Sequence, residues 1–277
     1  MSDAAPKTHA SLPEMTVVDT GLGRIACRIA GPEGAPVVVC LHGLGGGAKS
    51  WSRQLSHLPP DYRVIAWDCP GYGGSEAHPK AKPVADDYAA VLLRLLDRLG
   101  VERFDLVGHS MGGIIAPRVV AQAPHRVRRL VLSATKTGFR GPDAAGFEAR
   151  LKDFDTLSAE AFGKARADGM VGAEADPAIH AEVAAIAAEI RADGYAGAVN
   201  LLTTSDNTAI LKSLTQPTIV IAGERDRIAQ DVRTAELAAT IPGAVRHVVA
   251  DAAHAAYLEQ WQAYNGILRD FLGDGAS

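Results

Sequence analysis

Cysteine is scarce in this chain: three in 277 residues, at positions 27, 40 and 69, with no C-x-x-C pair among them. An odd, scattered set excludes a disulfide framework and is expected to be reduced thiols in a cytoplasmic protein. Cys40 lies in an apolar run, which points to a buried strand residue rather than a redox group. Charge of one sign is lacking too. Lys+Arg 28 against Asp+Glu 32 gives a net charge of -4, which offers no basic face for phosphate, so nucleic acid is not an expected partner. Long apolar runs are missing as well. Residues 37–41 form the most apolar stretch near the start and are far too short to span a bilayer, which takes roughly 20 residues. Residues 1–14 are polar, without the apolar centre of a secretory signal, and no membrane partner is expected.

What is present is ordinary globular material, 47% hydrophobic and 22% charged. A prior of about 150 residues per domain would allow two domains, but α/β chains of this length are commonly one. β-branched runs at 16–19, 24–30, 37–41, 63–67, 104–107 and 128–132 alternate with helix-like stretches. The second run alternates polar and apolar residues, as in an antiparallel edge hairpin, whereas the later ones are continuously apolar and suit parallel strands covered on both faces. Residues 84–99 carry apolar side chains at helical spacing and stop at Gly100, a C-terminal cap. A helix over 111–122 contains Pro117, which should kink it or cost one hydrogen bond.

After Ala134 the alternation stops. From 138 to 212 the chain is Ala-rich with helical spacing. Strands at 218–222 and 244–249, with helices near 230–241 and 259–271, then resume it. A helical insertion of roughly 75 residues in a sheet reads as a lid over a site. The expected organisation is a core from 13–137 and 213–273, with a helical cap at 138–212. Residues 1–12 and 273–277 are expected to fray.

The strongest local signal is Gly108-His109-Ser110-Met111-Gly112-Gly113, a G-x-S-x-G between a strand and a helix. In so tight a turn, bulk two residues either side of the serine would collide. The hydroxyl is pushed outward and the following N–H groups lie at a helix N-terminus, which favours developing negative charge. A serine needs a base, and the base an orienting acid. Of nine histidines, His254 lies in a small-residue loop between the last strand and the last helix, where open α/β sheets place their chemistry. The acid is expected after the preceding strand, in Gly223-Glu224-Arg225-Asp226, with Asp226 first and Glu224 second. The order Ser, Asp, His suits this architecture. The oxyanion hole is expected from the N–H groups of Met111 and of Leu44, in the turn His42-Gly43-Leu44-Gly45-Gly46-Gly47. His42, Gly43, Trp51 and His109 are candidate substrate contacts, although a tryptophan at 51 is more often core. The same turn, with Ala48 and with Asp68 closing the next strand, also fits a dinucleotide fingerprint. That rival gives no reason for Ser110, Asp226 and His254.

Together these residues resemble the α/β-hydrolase family over nearly the whole chain. His42-Gly43 resembles its oxyanion turn, residues 68–75 its loop after the fourth strand, Gly108 to Gly113 its nucleophile elbow, and Asp226 and His254 its acid and base. The resemblance implies a mostly parallel eight-stranded sheet with helices on both faces and a small helical cap. Ala192-Asp193-Gly194-Tyr195 and Leu130-Val131-Leu132-Ser133 look most like enol-lactonases acting on 3-oxoadipate lactones. That likeness implies a small-molecule ester or lactone substrate bearing a carboxylate. Carbon–carbon hydrolases of ring-fission products share the triad, and some proteins of this fold keep it while serving as ligand receptors. No metal or organic cofactor is expected.

Overall fold

The computed structural model describes residues 12–138, 146, 151 and 154–273. Apart from Leu12 and Gly273, the termini expected to fray lie outside these residues, as does part of the expected cap. Eight strands form one sheet: β1 (Met15–Asp19), β2 (Arg24–Ala30), β3 (Val37–Leu41), β4 (Arg63–Trp67), β5 (Phe104–His109), β6 (Val127–Ser133), β7 (Thr218–Gly223) and β8 (Val245–Val249). They lie in the order β1-β2-β4-β3-β5-β6-β7-β8. β1 pairs antiparallel with β2, and β2 with β4, while every later pairing is parallel. The alternation in 24–30 does mark the hairpin, but β1 is the edge and β2 is paired on both sides. Ile25, Ala26 and Cys27 are therefore all buried.

Period-two geometry divides the core in two. Val39, Leu41, Leu106, Leu132 and Val220 point to one face of the sheet, against α2 (Ala85–Arg98) and α3 (Met111–Gln122). Val38, Cys40, Val107, Val131 and Ile221 point to the other, against α1 (Ser52–His57) and the last helix. Both faces being covered is why these strands read as unbroken apolar runs. Each such side chain contributes about 1.5–3 kcal/mol on burial. The three cysteines belong to this interior. Burial pushes the Cys27 thiol up to about 12 and those of Cys40 and Cys69 further above the ordinary thiol range.

Capping fixes α2. Asp87 accepts from the Val84 N–H at 2.9 Å, and the helix ends at Gly100 with φ +68°. α3 runs as one helix through Pro117, whose missing N–H leaves the Gly113 carbonyl without its usual donor. After β6 come α4 (Ala159–Met170), α5 (Pro177–Ala188), α6 (Ala192–Thr204) and α7 (Thr208–Lys212). The sheet then resumes with α8 (Asp231–Thr240), α9 (Ala256–Glu259) and α10 (Trp261–Leu272). Among the described residues no helix is long and apolar enough to cross a membrane.

The strand order carries the functional consequence. The chain reverses its direction of sheet building between β3 and β5, which makes the carboxyl ends of these two strands a topological switch point. Such a switch point is where open α/β sheets bind ligands.

Candidate active site

Ser110 is the single residue between β5 and α3. Its φ of 51° and ψ of −110° lie outside the regions L residues favour, a strain of order 1–3 kcal/mol. Its neighbours hold it there: the Ser110 N–H donates to Ser133 O at 2.9 Å, and Thr135 Oγ1 donates to the Ser110 carbonyl at 2.8 Å. The motif glycines are sterically required. A Cβ on Gly108 would lie 2.5 Å from the Gly112 carbonyl oxygen, and one on Gly112 would lie 2.3 Å from that of Leu41.

The loops that carry His254 and Asp226 follow β8 and β7. His254 is buried, and its Nδ1 lies 2.8 Å from Asp226 Oδ2. The other carboxylate oxygen, Oδ1, accepts from the N–H groups of Ile228 at 2.7 Å and Ala229 at 2.9 Å. Burial alone would raise the Asp226 carboxyl, but His254 and these two donors outweigh it and hold the group below its ordinary range. The loops are also joined by backbone bonds, Glu224 N–H to Val249 O at 3.0 Å and Arg225 N–H to Ala252 O at 2.8 Å. Glu224, the second candidate acid, accepts from the exposed Asp251 N–H instead.

The ring of His109, directly before Ser110, lies 4.8 Å from that of His254, which brings the loop of the imidazole up to the elbow. The hydrogen bond from the Ser110 hydroxyl to His254 is not formed in this structure. Such bonds commonly tighten only with substrate in place.

The turn after β3 is bound to the head of α3 by Gly112 N–H donating to His42 O at 3.1 Å. Gly43 packs so closely that a Cβ there would stand 3.0 Å from Ser110 Cβ. Among the described residues the N–H groups of Leu44 and Met111 donate to no protein acceptor. Two available donors flank one serine. The dinucleotide alternative fails on Asp68, whose carboxylate is taken internally by Ala48 N–H at 2.7 Å and Gly74 N–H at 3.1 Å. Among the described residues no cluster of three or more His, Cys, Asp or Glu is placed to hold a metal ion.

Residues 36–168 match the family model described as alpha/beta hydrolase fold. A 2-hydroxy-6-oxononadienedioate/2-hydroxy-6-oxononatrienedioate hydrolase of Cupriavidus pinatubonensis is 32% identical, over 91% of this chain and 91% of that protein. The chain belongs to the α/β-hydrolase fold family. Solved structures agree. The enol-lactonase of Burkholderia xenovorans superposes with a TM-score of 0.86 at 26% identity, covering 93% of this chain and 99% of that one. A hydrolase of Pseudomonas aeruginosa gives 0.85 at 27%, covering 94% and 98%.

Three of the expected substrate contacts are buried side chains in this α/β-hydrolase. Trp51 is fully buried, its ring 4.9 Å from that of Tyr257. His42 is buried too. Its Nδ1–H donates to Gly43 O at 2.8 Å and its Nε2 accepts from Cys69 N–H at 3.0 Å, which ties the turn after β3 to the loop after β4. His109 lies between His254 and Tyr257, with no partner at either ring nitrogen among the described residues. Gly43, the fourth, packs against Ser110. Conversely, the sequence reading passed over Arg166, whose Nη2 reaches Leu44 O at 3.2 Å from α4, and Glu259, which accepts the Ala253 N–H beside His254. Contacts across 122 residues leave no local pattern to read.

Burial holds the His109 ring well below the ordinary imidazole range, so the ring is neutral in the fold. Below pH about 6.5 the unfolded chain takes up a proton at this residue that the folded chain refuses, so stability should fall as pH drops. The expected slope from His109 is up to about 1.4 kcal/mol per pH unit. Urea unfolding of the wild type and of His109→Phe between pH 7 and 5.5 measures it. Equal slopes would refute the buried neutral ring.

Proposed function

We propose that this α/β-hydrolase cleaves an ester or lactone of a small carboxylate substrate through a covalent acyl-serine. The observation that carries the proposal is the buried His254–Asp226 pair at 2.8 Å beside a strained Ser110. In this reading Ser110 Oγ attacks the carbonyl carbon while His254 Nε2 takes its proton. The N–H groups of Leu44 and Met111 hold the oxyanion, and the leaving alcohol or enol is reprotonated by His254. Water, deprotonated by His254, then releases the acid and restores Ser110. Asp226 fixes the Nδ1–H tautomer and stabilises the imidazolium.

The helices after β6 serve as a cap that shapes the acyl pocket and excludes water. Arg166 supports a carboxylate-bearing substrate, because its guanidinium brings positive charge to the oxyanion turn. The structural likeness to the enol-lactonase points the same way. A second reading, hydrolysis of a carbon–carbon bond in a ring-fission product, is favoured by the 32% identity to a dienedioate hydrolase. It uses the same residues.

A fluorophosphonate probe tests the shared claim. Ser110 should label to one equivalent, and a chain that only binds its ligand should stay unmodified. Absorbance assays with enol-lactones, aryl esters and dienoic diketo acids then separate the two readings. Turnover of the diketo acids alone would overturn the ester and lactone assignment.

A further inference from the structure

Glu259 closes α9, beyond His254, and has no part in the acyl-transfer scheme. Its carboxylate is spent on backbone. It accepts from the Ala253 N–H at 3.2 Å to each oxygen and from the Gly172 N–H at 2.9 Å. Gly172 belongs to the turn between α4 and α5, far from His254 in the chain. On the other side of the imidazole, Ala255 N–H donates to Met170 O at 3.2 Å. Both residues flanking His254 are thus tied, one directly and one through Glu259, to the same turn of the cap. The fit is tight, for a Cβ on Gly172 would stand 3.0 Å from Glu259 Oε2.

A second tie runs along the outside. Arg225, beside Asp226, donates to Glu174 Oε2 at 2.6 Å in that cap turn and to the Asp251 carboxylate in the base loop. This outer tie is exposed, and an exposed pair contributes little. Glu259 is partly buried, and its bonds are charge-assisted, the stronger kind. Burial raises its carboxyl above the ordinary range even though the N–H groups of Gly172 and Ala253 pull it down. A carboxylate kept where it is costly to ionise is there for what it holds.

We infer that Glu259 is a positioning residue for His254, and that by gripping Ala253 and Gly172 together it makes seating of the cap and alignment of the base a single event. The inference rests on the assignment of His254 as base. A cap turn that lifts away releases the carboxylate from one partner and loosens the loop carrying the imidazole. Displacing a reacting group by about 1 Å is enough to cost about 100-fold in rate.

The test follows two signals in the full-length protein: the rate of fluorophosphonate labelling at Ser110, and the downfield proton resonance of the His254 Nδ1–H···Asp226 bond. Glu259→Ala is expected to slow labelling about 10- to 100-fold and to weaken or shift the resonance. Glu259→Gln, which keeps one acceptor oxygen, should recover part of both. Gly172→Ala, a cap substitution that touches neither His254 nor Ser110, should slow labelling several-fold and provides a variant with little risk to folding. Labelling within about two-fold of wild type together with an unmoved resonance, in folded Glu259→Ala or in Gly172→Ala, would overturn the inference. If the wild type refuses the probe, the hydrolase reading falls. The resonance then decides the positioning role alone, shifted in support and unshifted against.

Discussion

Ser110→Ala is expected to lower turnover by about three or more orders of magnitude, with thermal stability essentially unchanged. The two halves of that expectation come from different features. The hydroxyl is the only atom of Ser110 that the scheme uses as a nucleophile, so its loss removes the covalent path. The residual rate would be what the N–H groups of Leu44 and Met111 and substrate binding can supply. Stability should hold because the Ser110 bonds that fix the elbow run through its backbone, to Ser133 and from Thr135. Alanine meets the same φ of 51° at the same cost. Steady-state kinetics and a melting curve on one preparation check both. Full activity in the variant would remove Ser110 from the mechanism.

Asp226→Asn should cost nearly as much, about three to four orders of magnitude in kcat, and the structure dictates why. Oδ1 of Asp226 receives the N–H groups of Ile228 and Ala229. An asparagine must therefore turn its carbonyl oxygen to those donors and its NH2 group to His254. Facing a donor, Nδ1 becomes an acceptor and the proton moves to Nε2, where the base needs a lone pair. Substrate binding should be almost unaffected, so the loss should appear in kcat with KM steady. A loss confined to KM would mean that Asp226 shapes the pocket and leaves the histidine alone. The wild-type pair also contributes stability at neutral pH. That part is lost as pH falls below about 3.9 through the depressed range of the Asp226 carboxyl.

Ser110, Asp226 and His254, the proposed triad, stand out in the sequence because each is announced locally. The elbow needs glycines at fixed offsets, and Asp226 and His254 sit in loops directly after apolar strands. The sheet was legible for a related reason. A strand covered on both faces must be apolar throughout, and the turn after it must not be. Trp51, His42 and His109 were harder to place, because a side chain next to a catalytic loop has two faces to choose from. Burial against Tyr257 or a bond to the Cys69 N–H is decided by residues far along the chain. Glu259 and Arg166 lie beyond local reading for the same reason. Their partners Gly172 and Leu44 are 87 and 122 residues away.

The buried thiols have a practical consequence for work with this enzyme. Alkylating reagents attack the thiolate, and at neutral pH the native interior holds almost none of it. Iodoacetamide should therefore spare catalysis, and the sulfhydryls should become modifiable only as the sheet comes apart. The pace of their modification is a clock for unfolding that needs no engineered label.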